Sequence, residues 1–156
     1  MKYLLFVLFC SYVAGCASQR HESAAEIRQT LDQLYQRYLT NEINGAKQDM
    51  QKSIEVLLSN TNNPTIDVSP ALWLGYARLY VIEDKLGDTN RAAQMFNSAR
   101  LWYIEEQEHR LKHEDFSVER MKRNVESFTE RKCKEDVEEW DKTYSNGAGA
   151  AYMKQR

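Results

Sequence analysis

This sequence has no excess of basic residues, few histidines and no glycine-rich phosphate loop. Each of these features limits the classes of function that the protein can have. The chain of 156 residues has 21 lysines and arginines against 23 aspartates and glutamates, a formal net charge of −2. Nucleic-acid-binding domains carry an excess of basic residues, so we expect no nucleic-acid partner. No glycine-rich phosphate loop and no Gly-x-Ser-x-Gly turn occurs, and there are three histidines. We therefore predict a protein that is not an enzyme and needs no cofactor.

Long apolar runs are scarce as well. The apolar run over residues 3–13 covers about eleven residues, whereas a membrane-spanning helix needs roughly 20. A run of this length behind Lys2 is typical of a secretory signal peptide. Its end, Val13-Ala14-Gly15-Cys16, resembles the lipobox of bacterial lipoproteins. The resemblance implies cleavage before Cys16 and acylation of that cysteine, and two or three acyl chains anchor a protein almost permanently.

The residues around this cysteine bear on location and on disulfides. Ala17 follows it, and the lipoprotein resemblance then favours the outer membrane, with the protein on the periplasmic face. Ordinary signal cleavage near Ser18 is the alternative. With Cys16 acylated, Cys133 has no partner for an intrachain disulfide. We expect the Cys133 thiol to pack in the interior, and intermolecular pairing is the alternative.

The next stretch predicts two amphipathic helices. Ser23 and Glu26 have the spacing of a capping box, which opens a helix at Ala24 that should end near residues 40–41. A second helix is predicted from Asn44-Gly45 onward. Both have apolar residues at helical spacing, namely Ile27, Leu31, Leu34, Tyr35 and Tyr38 in the first and Ala46, Met50, Ile54, Leu57 and Leu58 in the second.

Residues 69–103 predict a second helical hairpin, and the rest of the chain is organised around it. Ser69 is the expected N-cap and Pro70 the first helical residue. Gly87 should end this helix in the left-handed conformation, and Asp88 or Thr89 should cap the next one. The buried positions of that helix are Ala92, Phe96, Ala99, Trp102 and Tyr103.

The turn and second helix of this hairpin resemble a tetratricopeptide repeat through Gly87-Asp88, Ala92, Phe96 and Ala99. That family stacks antiparallel helix pairs, so the resemblance implies a repeat-like all-α fold with a peptide-binding inner surface. It covers about one repeat, and Tyr80 stands where the family prefers glycine or alanine. A shift of 46 residues lays Ala46 on Ala92 and Met50 on Phe96, which predicts a weak internal repeat.

The last third of the sequence is strongly charged and helical. The hairpin helix should run to about Lys112, a corner should follow over residues 113–117, and one long helix should reach Tyr144. The predicted fold is all-α, with four to five helices in antiparallel hairpins and a long C-terminal helix. The predicted domains are a signal peptide (1–15), a polar leash (16–23), a repeat-like helical domain (24–145) and a flexible tail (146–156).

These features favour a lipid-anchored protein-interaction module, a scaffold or assembly factor facing the periplasm. The anchor provides the membrane partner, and an envelope protein of unknown identity is the expected protein partner; a homo-oligomer is an open alternative. A rod that staples the membrane to the cell wall would need sustained heptads, which are missing. The repeat analogy predicts a partner-facing set on the first helix of the central hairpin: Leu74, Ala77, Arg78, Val81 and Lys85.

A metal- or ligand-binding protein is the alternative function. His109 and His113 are four residues apart and share a helix face, with Glu106 one turn earlier. However, Arg110 and Lys112 flank the pair and would repel a cation. A solvated helix face is therefore the favoured interpretation, and these three residues are a weak candidate metal site.

Overall fold

The computed structural model describes residues 23–63 and 67–145, and within these two ranges the chain is all-α, with six helices and no strand. The predicted fold class is therefore confirmed. The helices, in chain order, are α1 (Ala24–Thr40), α2 (Ile43–Leu58), α3 (Ser69–Lys85), α4 (Thr89–His113), α5 (Val118–Ser127) and α6 (Glu130–Ser145).

The first hairpin forms as its sequence predicts. Ser23 and Glu26 make both bonds of the capping box: the Ser23 amide donates to the Glu26 carboxylate over 2.8 Å, and the Glu26 amide donates to the Ser23 hydroxyl over 3.3 Å. The helix α1 ends at Thr40, and Asn41 and Glu42 connect it to α2. The short connection brings the apolar stripes of the two helices together.

The second hairpin turns at Gly87, which has a φ of 78° and so uses the freedom that glycine has in the left-handed region. The Asp88 carboxylate caps α4 by accepting from the amide of Arg91 over 3.0 Å. The start of α3 differs from the prediction. Ser69 is inside the helix, and the Asp67 carboxylate accepts from both its amide, over 3.0 Å, and its hydroxyl.

The hydrophobic interior has two clusters of buried side chains. The first is formed by α1, α2, α3 and the residue before α3, and the second by α3, α4 and the C-terminal segment. The first contains Tyr35, Ala46, Met50, Ile54, Leu57, Val68, Leu72, Leu79 and Ile82. The second contains Trp73, Ala77, Tyr80, Ala92, Ala99, Phe128, Cys133 and Val137. Helix α3 contributes to both, so it is the central element of the fold.

The C-terminal segment differs from the single long helix that was predicted. Ser117 caps α5 by accepting from the amide of Arg120. The helix then breaks at Phe128, where φ is −75° and ψ is 89°, and α6 starts with the Thr129 hydroxyl accepting from the amide of Lys132. The break turns the Phe128 ring inward, and it explains why there are six helices among the described residues and not four or five.

Several predictions are left open by the fold. The signal peptide, Cys16, most of the leash and the tail lie outside the described residues. The two hairpins agree with an all-α repeat-like arrangement, but a tetratricopeptide repeat stays a prediction. In the described part of the chain, no helix is both long and apolar enough to cross a membrane.

Candidate partner-binding face

The five residues predicted to face a partner lie on α3, but two of them are buried. Ala77 is 0% exposed and Arg78 is 7% exposed. Leu74 and Val81 are half-buried against the second cluster, and Lys85 is exposed. Asp141 of α6 covers Arg78, and Ala77 is buried in the cluster to which both α4 and α6 contribute. Ala77 and Arg78 are therefore not accessible to a partner while α6 is in place.

A buried ion pair connects α3 to α6 at the centre of this contact. The Nε and Nη2 atoms of Arg78 both lie 2.9 Å from Oδ1 of Asp141. The guanidinium carbon also lies 4.3 Å from the ring centroid of Tyr35 and 5.5 Å from that of Tyr38. Aromatic rings and carboxylates both stabilise arginine side chains. The guanidinium of Arg78 is therefore stabilised by the tyrosine rings and by the Asp141 carboxylate.

The same two tyrosines complete the site from α1. The hydroxyl of Tyr35 donates to Oδ1 of Asp141 over 2.7 Å, and that of Tyr38 donates to Oδ2 over 2.6 Å. Burial raises the pKa of both hydroxyls, the adjacent carboxylate adds to the effect, and Arg78 opposes it. Both hydroxyls therefore stay protonated and act as donors. Tyr144 packs edge-on against Tyr35, with ring centroids 4.6 Å apart.

The other end of the contact is aromatic and apolar. The ring of Phe128 stacks on Tyr103 at 4.4 Å between centroids and lies 5.9 Å from both Trp73 and Phe96. Cys133 is 0% exposed in the same cluster. Burial raises the pKa of its thiol to about 12, with a further contribution from nearby acidic side chains. A thiol in this state is unreactive, which agrees with the packing role expected for it.

An exposed ion pair and a part-buried hydrogen bond lie at the edge of the contact. The ammonium of Lys134 lies 2.7 Å from the Asp84 carboxylate. The Tyr80 hydroxyl donates to the Glu130 carboxylate over 3.3 Å. We call the surface formed by Tyr35, Tyr38, Ala77, Arg78 and Tyr80 the α6-binding face. It spans α1 and α3. It contacts the stripe of α6 that contains Cys133 and Val137 and ends at the Asp141 carboxylate.

Sequence reasoning missed Asp141, the residue that completes this site. A signal was nevertheless present: Asp141 lies four residues after Val137 and eight after Cys133, so it shares their helix face. An acidic residue in line with an apolar stripe indicates a buried cationic partner, which the structure identifies as Arg78.

The weak metal candidate is only partly assembled. The rings of His109 and His113 lie 4.4 Å apart, and Nδ1 of His109 lies 3.3 Å from the Asp67 carboxylate. In the two described ranges, no group of three or more histidine, cysteine, aspartate or glutamate side chains is placed to hold a metal ion. Glu106 therefore does not join the two histidines in one ligand set.

Glu106 instead lies beside the second cluster. Burial raises the pKa of its carboxyl, and Arg110 partly offsets the increase. The indole N–H of Trp73 finds no acceptor in good hydrogen-bonding geometry among the described residues, although it is close enough to Glu106 to lower that pKa slightly. The Glu106 carboxylate is therefore a partly buried polar group next to an apolar cluster.

Comparison with known proteins adds no relative: no protein-family model matches the chain, and neither a curated protein nor a solved structure gives a significant match.

Proposed function

We propose that this protein is a lipid-anchored protein-interaction module of the bacterial cell envelope, a scaffold or assembly factor held at the outer membrane on its periplasmic side. The anchor would be the acylated Cys16 of the lipobox-like motif Val13-Ala14-Gly15-Cys16. The interaction would be that of a helix or extended segment with a face of the helical domain. Membrane anchoring raises the local concentration of both partners, so modest affinity would be sufficient.

The observation that carries the proposal is the α6-binding face. Two different helices, α1 and α3, contribute to it, and it receives an amphipathic helix through one apolar stripe and one buried ion pair. A surface with these properties is suited to recognising a helix, since an apolar stripe gives affinity and a buried charge gives register. The chemistry of the site is that of binding, with tyrosine hydroxyls that stay protonated and a thiol that stays protonated.

The test is in-cell crosslinking and pull-down of the full-length protein, followed by mass spectrometry, beside the Cys16→Ser variant. Cys10→Ser is a matched control, because it removes a cysteine from the predicted signal and leaves the lipobox cysteine in place. We expect the wild type and Cys10→Ser to fractionate with the outer membrane and to recover the same defined envelope proteins. Cys16→Ser should be released from the membrane and should recover less of them.

Two results would contradict the proposal. If Cys16→Ser fractionates with the membrane as the wild type does, the anchor is not the lipid on Cys16. If the wild type recovers no envelope protein, or only itself, the scaffold role is lost.

A further inference from the structure

The segment formed by α5 and α6 is held to the rest of the molecule at few points. In the described chain, none of the residues of α5 is buried, and α6 has two buried residues, Cys133 and Val137. Further anchors are the ring of Phe128 before α6, and the carboxylate of Asp141 and the ring of Tyr144 near its end. The side-chain amide of Asn124 on α5 donates a hydrogen bond of 2.7 Å to the buried side chain of Gln107 on α4. From Cys133 onward the anchors follow a spacing of four, four and three residues, so one stripe of α6 makes the contact.

The buried members of the first hydrophobic cluster lie outside this segment, and among the segment's described hydrophobic side chains only the half-buried ring of Tyr144, on α6, packs against it. The cluster's buried members, from Tyr35 to Ile82, all belong to α1, α2 and α3 or to the residue before α3. Helices α3 and α4 pack on each other through Tyr80, Ala92 and Phe96. Release of α6 would therefore uncover the α6-binding face and remove Phe128, Cys133 and Val137 from the second cluster. The buried members of the first cluster and the contacts between α3 and α4 would stay in place, which is the pattern of a local opening.

We infer that the α6-binding face is the partner site of the proposed module, that α6 occupies it in the resting chain, and that the partner is an amphipathic helix that displaces α6. The displacing helix would carry a carboxylate at the position of Asp141, with small or β-branched apolar residues four and eight positions before it, as Val137 and Cys133 are placed. This inference rests on the proposed function, and it names the site and the class of partner.

The requirement for a carboxylate follows from the burial of Arg78. A guanidinium that is 7% exposed cannot be left without a countercharge, because an unpaired buried charge is strongly destabilising. The hydroxyls of Tyr35 and Tyr38 also donate to Asp141, so three donors would lose one acceptor together. Exchange of one carboxylate-bearing helix for another keeps all of these bonds, whereas a neutral or basic helix would lose them.

Cys133 provides a reporter of displacement, because it belongs to α6 and is 0% exposed while α6 is in place. The full-length protein would be treated with N-ethylmaleimide, and modification of Cys133 would be followed by peptide mapping, which separates it from Cys10 and Cys16. The probe is a synthetic peptide of residues 128–145 carrying C133A, so that it consumes no reagent. The matched control peptide carries D141K in addition.

We expect the probe peptide to speed the modification of Cys133 and the control peptide to leave it unchanged. If the peptide binds the opened form, the open population grows by 1 + [L]/Kd, which is about elevenfold at ten times the Kd. The full-length variant D141A should show faster modification without any peptide, while its circular dichroism retains the helix content of α1–α4.

Two outcomes would overturn the inference. One is that the probe peptide leaves Cys133 modification unchanged in both the wild type and D141A, which would make the α6 contact an ordinary part of the core. The other is that D141A loses helix content throughout, which would show that the hairpins need α6. This experiment uses no envelope protein, so its failure is distinct from a failure of the pull-down, which would remove the partner but leave the displacement measurable.

Discussion

The central helix of the two hairpins and the helices of the C-terminal segment differ in how many residues they bury. Helix α3 has ten buried residues in the described chain, whereas α6 has two and α5 has none. The hairpins are held by extended apolar surfaces, and the C-terminal segment is held by a few anchors, of which one is the buried Arg78–Asp141 pair. Ion pairs occur in both regions, since Lys47 and Glu83 connect α2 to α3. The regions therefore differ in the number of side chains that they bury, and a segment with few buried side chains is the one that opens more readily.

The largest expected effect is in the hairpins. Leu72 is 0% exposed in the first cluster, so Leu72→Ala should lower the free energy of unfolding by about 2–5 kcal/mol through lost burial and a residual cavity. Urea denaturation followed by circular dichroism would measure it. Val137→Ala is the matched substitution on α6. We expect it to speed the modification of Cys133 and to leave the urea midpoint close to that of the wild type. The comparison would be wrong if both variants lowered global stability and left Cys133 protected.

A smaller effect is expected at the ion pair. A double-mutant cycle with Arg78→Met and Asp141→Asn should give a coupling free energy of about 1–3 kcal/mol, because the side chains are 8% and 20% exposed and share the tyrosine hydroxyls. Lys134 and Asp84 form the control pair, since they also connect α6 to α3 but are 40% and 46% exposed. Their coupling should be about 0.5 kcal/mol or less. Equal coupling in the two cycles would mean that burial does not strengthen the central pair.

The sequence predicts the hairpins well because their signals are local. Ser23 with Glu26, Gly87 and Asp88 each act on neighbouring backbone groups, so their caps and turns can be read without knowing the fold. The predicted start of α3 is wrong, because Ser69 lies inside the helix and its amide donates to the Asp67 carboxylate. That contact depends on the loop before the helix.

The candidate site could not be predicted as a whole, because it depends on contacts between distant segments. Arg78 was identified on the correct helix, but its burial follows from Asp141, which lies 63 residues later in the chain. The division of the last helix was also missed. The sequence shows a step of five residues from Phe128 to Cys133, whereas the break itself depends on the ring of Phe128 fitting among Trp73, Phe96 and Tyr103.

The smallest expected effect tests the boundary between the two regions, at Glu106. Burial raises the pKa of this carboxyl above its ordinary value of 4.5, so folding favours its protonated form. Below pH 4.5 the carboxyl is protonated in both states and has no effect. As the pH rises from 4.5 through the folded-state pKa, the folded protein must ionise a half-buried group, and stability is lost.

Glu106→Gln removes that ionisation and keeps the shape of the side chain. We expect its free energy of unfolding, relative to the wild type, to increase between pH 4.5 and pH 7, because the other acidic groups titrate alike in both proteins. Thermal or urea unfolding at the two pH values would measure the difference. A constant difference would mean that the carboxylate is solvated when ionised, and the apolar cluster shared by α3, α4 and the C-terminal segment would then be open to water at the position where Trp73 lies beside Glu106.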